Sequence, residues 1–344
     1  MKEFHENFDA TFAEVNGVEL VSSYGDASSE YQALKKNAAL IDLSPRGRLC
    51  LVGEDRSKFL HGQVTNDINS LAPGTGCYAL LVTNKGKVQA DMNVFNLGEE
   101  LLLDLEPGGS AFVTERLENY IVADDVEICD VQEQFGLLTV QGPKAAEAIG
   151  KLNLDLRLPD QDFGNSHLED ATLGSIYIAN HPRLMTSGFD LFAETGSLPA
   201  IADKMIQVLK ELGGCAAGWD ALETSRIEAG IPRCGLDMDE RNLAPEAGVE
   251  ERAISYRKGC YIGQEVLNRL HNFADTKKAL VRLELTAQLE PGTPLRSEDK
   301  KVGYITSTTA LPGSGRIVGL GYAKKPKNEP DTRFQVDGGT ARVL

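Results

Sequence analysis

The most unusual segment of this chain is Lys258-Gly259-Cys260-Tyr261-Ile262-Gly263-Gln264-Glu265. Two glycines flank a cysteine and an aromatic residue, and this spacing predicts a tight turn that presents the Cys260 thiol. Gln264 and Glu265 are predicted to begin a helix directly after the turn. The positive end of a helix and the charge of Lys258 both favour a thiolate, so the pattern indicates a reactive cysteine.

The residues alone also allow a second interpretation of Cys260. Most cysteines outside disulfides are buried and inert, so Cys260 could simply fill space beside a helix start. The remaining cysteines are scattered and form no C-x-x-C pair. Their spacing therefore predicts neither a disulfide scaffold nor a zinc site, and it favours a reducing cytosol.

Strand and helix signals alternate through most of the chain before this stretch. Strands are predicted at residues 48–52, 78–83, 88–95, 101–105, 126–129, 137–140, 175–179 and 189–193. Helices are predicted at residues 56–63, 112–120, 198–212 and 217–229, and Pro143 is predicted to open another. The turn residues 83–86, Thr-Asn-Lys-Gly, predict a hairpin between the second and third strands.

The character of the sequence changes after about residue 275. Short β runs separated by glycine and proline turns are predicted at residues 279–285, 302–306, 316–323 and 333–336. They indicate a small all-β barrel. The fold class is therefore α+β, with a large mixed body at residues 1–275 and a barrel domain at residues 276–344.

The bulk composition restricts the choice of partners. The formal net charge is -16, which disfavours binding to nucleic acid and to anionic membranes. The sequence contains no run of about 18 apolar residues, so no membrane span is expected. The first residues lack the basic start and apolar stretch of a signal peptide, and a cytoplasmic location is predicted.

The pattern K-G-C-Y-x-G-Q-E resembles the signature of the YgfZ family, folate-binding relatives of the glycine cleavage T-protein (aminomethyltransferase). Other blocks resemble T-protein motifs: residues 39–44, 59–67, 140–143, 222–230, 302–307 and 319–322. The resemblance implies a folate-binding body of two intertwined subdomains, followed by the barrel. It also implies that Cys260 supports the assembly or repair of iron–sulfur clusters in client enzymes.

The resemblance further implies a site for tetrahydrofolate or a one-carbon derivative. Tyr78 matches a tyrosine that lines the family's folate pocket, and Asp91 matches an acid near the folate N5 and N10 atoms. Asp190 lies where the family usually has a pterin-binding glutamate. Arg226 matches an arginine on a helix that faces the ligand. With Cys260, Asp91 is the candidate catalytic residue.

Each of these four positions has a simpler interpretation. Tyr78 could be ordinary strand packing, and Asp91 could be a solvated strand residue. Arg226 could form an ion pair with a glutamate on the surface of its own helix, either Glu223 or Glu228. Asp190 is one methylene shorter than the usual glutamate, which puts its reach in doubt.

Three departures from the T-protein pattern bear on the functional hypotheses. The cysteine signature, which the T-protein lacks, separates an accessory protein from a transferase. Ala90 replaces one of two adjacent acids, and residues 182–187 replace a tyrosine-rich approach to the pterin. The preferred hypothesis is a folate-binding accessory protein whose partners are iron–sulfur client enzymes or assembly proteins. The alternatives are a folate-dependent aminomethyltransferase of the glycine cleavage type and a client-binding scaffold. Negligible aminomethyltransferase activity is expected.

Overall fold

The computed structural model describes residues 1–155 and 157–344. Its α-helices are Lys2–Asn7 (α1), Ala27–Lys36 (α2), Arg56–Gln63 (α3), Ser110–Glu118 (α4), Ala145–Gly150 (α5), Leu198–Glu211 (α6), Trp219–Ala229 (α7), Glu250–Ala253 (α8) and Gln264–Phe273 (α9). A short 3-10 helix covers Ala244–Ala247. No helix among these residues is long and apolar enough to span a membrane.

The strands before residue 275 are Thr11–Val15 (β1), Val18–Ser23 (β2), Ala39–Asp42 (β3), Arg46–Val52 (β4), Thr75–Val82 (β5), Val88–Asn96 (β6), Leu101–Pro107 (β7), Glu127–Asp130 (β8), Phe135–Gln141 (β9), Asn165–Asp170 (β10), Gly174–Asn180 (β11), Gly188–Glu194 (β12) and Cys215–Ala216 (β13). Those after it are Lys278–Leu285 (β14), Pro294–Ser297 (β15), Lys300–Ala310 (β16), Ile317–Lys324 (β17), Arg333–Val336 (β18) and Gly339–Val343 (β19).

The chain forms two compact units that are interleaved along the sequence. The first unit contains Met1–Leu60, Ile68–Cys77 and Met92–Ser225. The second unit contains His61–Asp67, Tyr78–Asp91 and Arg226–Leu344. The boundary predicted at residue 275 separates the mixed body from the barrel and is a different division from these two units. It stays a prediction about domain organisation.

The first unit is built on a six-stranded sheet in the order β10-β11-β12-β9-β3-β13. Helix α6 covers this sheet because its apolar residues recur every four positions. Ile201, Met205 and Leu209 form one buried stripe that joins the sheet residues Ile176 and Leu191 in a single core. A second sheet has the order β5-β6-β7-β4-β8, and its strand β7 is buried at every residue except Glu106.

The second unit carries a closed barrel in the order β14-β17-β16-β15-β18-β19. Apolar side chains alternate along its strands, as in Val281, Leu283 and Leu285, and they fill the barrel interior. Full closure leaves no unpaired sheet edge for the short strands. The predicted α+β class and C-terminal barrel are confirmed.

The elements predicted from the sequence are present, with shifted ends. The predicted helix at 56–63 coincides with α3, whereas the predicted helix at 217–229 begins at Trp219 because Cys215 and Ala216 pair with β3 as a strand. Pro143 lies two residues before α5, in a turn. The sequence patterns do not predict strands β10, β13, β15 and β19, helix α8, the 3-10 helix or the elements of the first 45 residues, since short or irregular segments carry weak periodicity.

Candidate functional site

The 258–263 loop is fixed by its own lysine. The Lys258 ammonium is buried and donates to the carbonyl oxygens of His61 at 2.5 Å, Val64 at 2.7 Å and Asn66 at 2.7 Å. It also lies 4.8 Å from the centre of the Tyr261 ring. The ammonium has three donors, and the three carbonyl groups match them in number. Lys258 therefore clamps residues 61–66 to the loop that carries Cys260.

The loop ends at Gly263, where the backbone conformation and a close neighbour both require glycine. Its φ angle of +85° lies in the left-handed region, and a β-carbon there would come within 2.5 Å of the Thr83 carbonyl oxygen. Gly263 is the N-cap of α9, which begins at Gln264 as predicted. The loop therefore approaches the β5–β6 turn more closely than a side chain would allow.

The Cys260 thiol is exposed on this loop. Cys50 and Cys234 are buried, while Cys77, Cys129 and Cys215 are half-buried; all six are free. Burial raises the pKa of Cys215 to about 11, which keeps it a thiol at neutral pH. The structure thus removes the interpretation of Cys260 as a buried apolar plug, although it does not by itself give the thiol a role.

Replacing Lys258 by methionine is expected to lower the free energy of unfolding by about 2–3 kcal/mol, since three carbonyl oxygens lose a charged donor. Chemical denaturation followed by circular dichroism measures the change. Lys85→Met is the matched control, because Lys85 is exposed on the hairpin turn of the same unit. Equal midpoints for the two variants would show that the clamp contributes nothing.

Tyr78 and Asp91 come together on the predicted hairpin. The Tyr78 hydroxyl donates to Asp91 Oδ2 at 2.8 Å, and the hairpin closes through the Thr83 N–H, which donates to the Lys87 carbonyl. Burial and the Asp91 carboxylate raise the pKa of Tyr78 well above its usual range. Tyr78 therefore stays a neutral phenol that orients Asp91, which is half-buried.

A guanidinium covers the other side of the tyrosine. The Arg252 guanidinium carbon lies 4.6 Å from the centre of the Tyr78 ring, a cation–π contact. The Asn66 side chain donates to the carbonyl oxygens of Tyr78 at 2.8 Å and Arg252 at 3.2 Å. An aromatic ring, a carboxylate and an exposed guanidinium thus form one constellation in the second unit.

Arg226 lies in a buried polar network with the barrel. Its guanidinium donates to Asp237 Oδ2, to Ser307 Oγ at 3.0 Å and to the Ile231 carbonyl at 3.3 Å. Asp237 also accepts hydrogen bonds from the hydroxyls of Thr306 and Ser307. Asp237, beyond the end of the helix, is thus one ion-pair partner of Arg226. A ligand-facing role for Arg226 stays a prediction.

Asp190 lies in the first unit, fully buried among three donors. Arg183 Nε donates to Asp190 Oδ1 at 3.0 Å and Arg183 Nη2 to Asp190 Oδ2 at 2.6 Å. His181 Nδ1 lies 2.8 Å from Asp190 Oδ2. Burial alone would raise the pKa of Asp190, but Arg183 and His181 lower it to about 2. The carboxylate is therefore ionised and occupied by protein donors.

Asp104 extends this network. Arg46 Nε donates to Asp104 Oδ1 at 2.7 Å, and Arg183 Nη2 donates to Asp104 Oδ2 at 2.8 Å. Possible metal-ligand atoms of Asp104, His181 and Asp190 lie within 4.8 Å of one another. The Arg183 guanidinium bridges the two carboxylates, so it supplies the positive charge that a metal ion would bring there. The network is chemically a buried ion-pair cluster.

The structure therefore joins Tyr78 to Asp91, and it gives Asp190 and Arg226 their own buried partners. Sequence reasoning missed Arg252, Asp237, Arg183 and His61. The Thr65-Asn66-Asp67 block after His61 was the one available signal, because polar residues directly after a helix often mark a functional turn.

The family described as "GCVT N-terminal domain" matches residues 1–258. The family described as "Glycine cleavage T-protein C-terminal barrel domain" matches residues 278–343. The two matches together cover the chain except residues 259–277 and 344.

Individual relatives cover most of the chain. It is 31% identical over 337 residues to the Arabidopsis thaliana protein named "Putative transferase At1g60990, chloroplastic", covering 94% of this chain and 74% of that protein. It is 27% identical to the aminomethyltransferase of Rubrobacter xylanophilus, covering 93% and 85%. The crystal structure of the glycine cleavage system aminomethyltransferase T from Bartonella henselae superimposes with a TM-score of 0.86 at 20% identity, covering 99% and 94% of the two chains.

Proposed function

This chain belongs to the glycine cleavage T-protein family, and from that membership we propose that it binds a reduced folate and acts on its one-carbon unit. The observation that carries the proposal is the hydrogen bond from Tyr78 to Asp91, within a constellation that also contains Arg252. Tetrahydrofolate or a one-carbon derivative is the proposed ligand.

The chemistry of the constellation fits a folate. The pterin and the amines of reduced folate offer N–H donors, and a carboxylate oxygen accepts more than one hydrogen bond. The hydrogen bond from Tyr78 is thus compatible with a further donor on Asp91. The Arg252 guanidinium can pair with the anionic glutamate tail. Aromatic walls and a few placed polar groups are typical of such sites.

Asp91 is the proposed catalytic group because the resemblance places it near folate N5 and N10. A carboxylate at that position can take the proton that a folate nitrogen loses as it gains a one-carbon unit. Tyr78, held as a neutral phenol, keeps the carboxylate oriented while the proton moves. Ala90 beside it removes a second acid that T-proteins carry, which predicts slower turnover.

Asp91→Asn is expected to weaken binding of tetrahydrofolate at least tenfold, because an amide gives up the charged acceptor for the folate N–H groups. Isothermal titration calorimetry with several reduced folates measures the affinity. Asp160→Asn is the control, since Asp160 is exposed and pairs with Arg157 in the first unit. Unchanged affinity in the Asp91 variant, or no binding by the unaltered protein, would remove the folate proposal.

The names of the relatives favour aminomethyl transfer over a role in iron–sulfur metabolism. The aminomethyltransferases of Rubrobacter xylanophilus and other bacteria align over most of this chain, so transfer of a one-carbon unit to tetrahydrofolate is the leading reaction. A coupled assay with an aminomethylated carrier protein and tetrahydrofolate tests it. Turnover well above background supports transfer, and its absence leaves the second candidate.

The second candidate is an accessory role in the assembly or repair of iron–sulfur clusters. The exposed thiol of Cys260, in a loop that resembles the YgfZ signature, supports it. One cysteine cannot hold a cluster alone, so iron–sulfur client enzymes or assembly proteins would supply the other ligands. A thiol used in this way has to be accessible, as that of Cys260 is.

A further inference from the structure

Two cysteines of the first unit lie opposite each other on neighbouring strands. Strand β4 pairs with strand β8 in antiparallel orientation, and the register places Cys50 directly across from Cys129. Residues that face each other in an antiparallel pair project their side chains to the same side of the sheet. Accordingly, Cys50 is buried in an apolar core, and the half-buried Cys129 packs against that same core. The fold thus brings together two free thiols that are far apart in the sequence.

The register also sets the distance between the two backbones. The Val131 N–H donates to the Arg48 carbonyl oxygen at 3.0 Å, and hydrogen-bonded pairs alternate with non-hydrogen-bonded pairs along an antiparallel ladder. Because Cys50 and Cys129 come two positions further along this ladder, they form a hydrogen-bonded pair, whose α-carbons lie about 5.5 Å apart. Disulfides most often join α-carbons about 5.5–6 Å apart. The backbone separation is therefore one that a disulfide can span.

Closure of a disulfide here needs only a small movement of β8. Opposite residues in a sheet have β-carbons about 4.5–5.5 Å apart, whereas a disulfide needs about 3.5–4.5 Å. Strand β8 is short and lies at the edge of its sheet, with β4 as its one neighbour among the strands that the structure describes. An edge strand can approach its neighbour without disturbing a strand on its other side. The strain that remains makes a disulfide easier to reduce, so such a bond is reversible.

We propose that Cys50 and Cys129 are a redox-sensitive pair, which hydrogen peroxide converts into a reversible disulfide between β4 and β8. The directly opposed register, the shared face and the edge position of β8 support it. The disulfide ties a strand that hydrogen bonds hold on one side covalently to its sheet. A sheet edge that opens exposes unpaired backbone groups to other chains, so closure protects that edge under oxidising conditions. The pair lies in the first unit and is separate from the folate constellation and the Cys260 loop, which lie in the second.

Hydrogen peroxide is the one oxidant that the reaction needs. The half-buried Cys129 sulfur attacks a peroxide oxygen, so a sulfur–oxygen bond forms as the oxygen–oxygen bond breaks, and the departing hydroxide takes the thiol proton as water. The Cys50 sulfur then attacks the Cys129 sulfur, and the sulfenic hydroxyl leaves with the Cys50 proton as a second water. The two thiols lose two electrons and two protons, and one peroxide becomes two waters.

Acidic groups around the pair keep it reduced under ordinary conditions. Burial and the carboxylate of Glu100 raise the pKa of the Cys50 thiol. Burial and the carboxylates of Glu127 and Glu100 raise the pKa of the Cys129 thiol. Tyr177, which also faces Cys50 and Glu100, is a neutral phenol, because burial and Glu100 raise its pKa. Thiolate is therefore scarce at neutral pH, and oxidation is expected to be slow there and to speed up as the pH rises.

The test is to map disulfides in the full-length protein after oxidation. The reduced protein is treated with hydrogen peroxide, the remaining thiols are blocked with iodoacetamide in urea, and the protein is digested without reductant. Peptide mass spectrometry should find the Cys50–Cys129 linked peptide about tenfold more abundant than any other cysteine pair, because the fold holds each thiol beside the other. Dithiothreitol should remove the link. Protein oxidised while unfolded in urea should lose the preference for this pair.

Serine variants identify the two sulfur atoms. Cys129→Ser and Cys50→Ser should each abolish the linked peptide. Cys215→Ser is the matched control, because Cys215 is also half-buried and packs against the same core, and the yield should not change. The folded-against-unfolded comparison uses the unaltered protein, so it decides the question even if a serine variant does not fold. Oxidation confined to Cys260, or a Cys50–Cys129 link no more abundant in the folded protein than in urea, would overturn the proposal.

Discussion

Replacing Asp104 by alanine is expected to lower the free energy of unfolding by about 3–5 kcal/mol, the largest stability effect predicted for this protein. Asp104 is fully buried and accepts hydrogen bonds from Arg46, Arg183 and Asn93. Removing the Asp104 carboxylate takes away a negative charge that the buried guanidinium groups of Arg46 and Arg183 share. A buried charge without adequate partners costs more than the lost contact itself.

Urea denaturation of the Asp104→Ala variant measures this effect. Asp160→Ala is the control, because it removes an aspartate whose ion pair with Arg157 is exposed, and its midpoint should not change. A loss below about 1 kcal/mol for Asp104→Ala would mean that Glu106, which pairs with Arg46, and Asp190, which pairs with Arg183, neutralise the cluster alone.

The pH dependence of stability gives a second measurement of the same cluster. Burial opposes ionisation of Asp104, yet Arg183 and Arg46 hold its pKa well below its usual range, and Asp190 has a pKa of about 2. Depressed values in the folded state mean that the stabilisation is complete above the unfolded value of about 3.9. The Asp190 contribution is lost as pH falls from about 4 through 2, and the Asp104 contribution continues to decline below that range. Asp104→Ala should flatten the decline.

Cys260→Ser is expected to abolish restoration of iron–sulfur enzyme activity in cells whose own family member is deleted, if the second candidate function holds. The substitution removes the thiol and keeps the shape of an exposed loop residue, so folding should change little. Tetrahydrofolate affinity should also be unchanged, because Tyr78 and Asp91 remain. Enzyme activities in lysates of the complemented strain give the result.

Matched cysteine variants make this experiment specific. Cys215→Ser and Cys50→Ser should restore the activities, since both residues lie in the first unit and their thiols are held neutral by burial. Full restoration by Cys260→Ser would contradict the accessory role and leave aminomethyl transfer as the sole candidate. In the coupled transfer assay, Cys260→Ser should match the unaltered protein.

Much of the fold could be read from local patterns. Helix α6 was predicted because a four-residue apolar spacing needs only its own segment, and the barrel because strands and turns alternate over short distances. The placement of Tyr78 and Asp91 on paired strands could be predicted for the same reason, since a short hairpin turn joins the two strands. Local patterns do not predict how the chain divides into two units, because the second unit gathers three separate segments. Only the family resemblance implies intertwined subdomains.

The α+β class, the C-terminal barrel, the turn at Cys260 and the helix after it can all be predicted from the amino-acid sequence, because they depend on neighbouring residues. The contacts of several key side chains depend on tertiary packing. Lys258 is 197 residues from His61, whose carbonyl it binds, and Arg183 is 79 residues from Asp104. Such pairings depend on how whole elements pack, and no local periodicity encodes them. For that reason the sequence predicts that the charge of Lys258 favours a thiolate at Cys260. In the folded chain, the Lys258 ammonium instead donates hydrogen bonds to three backbone carbonyl groups.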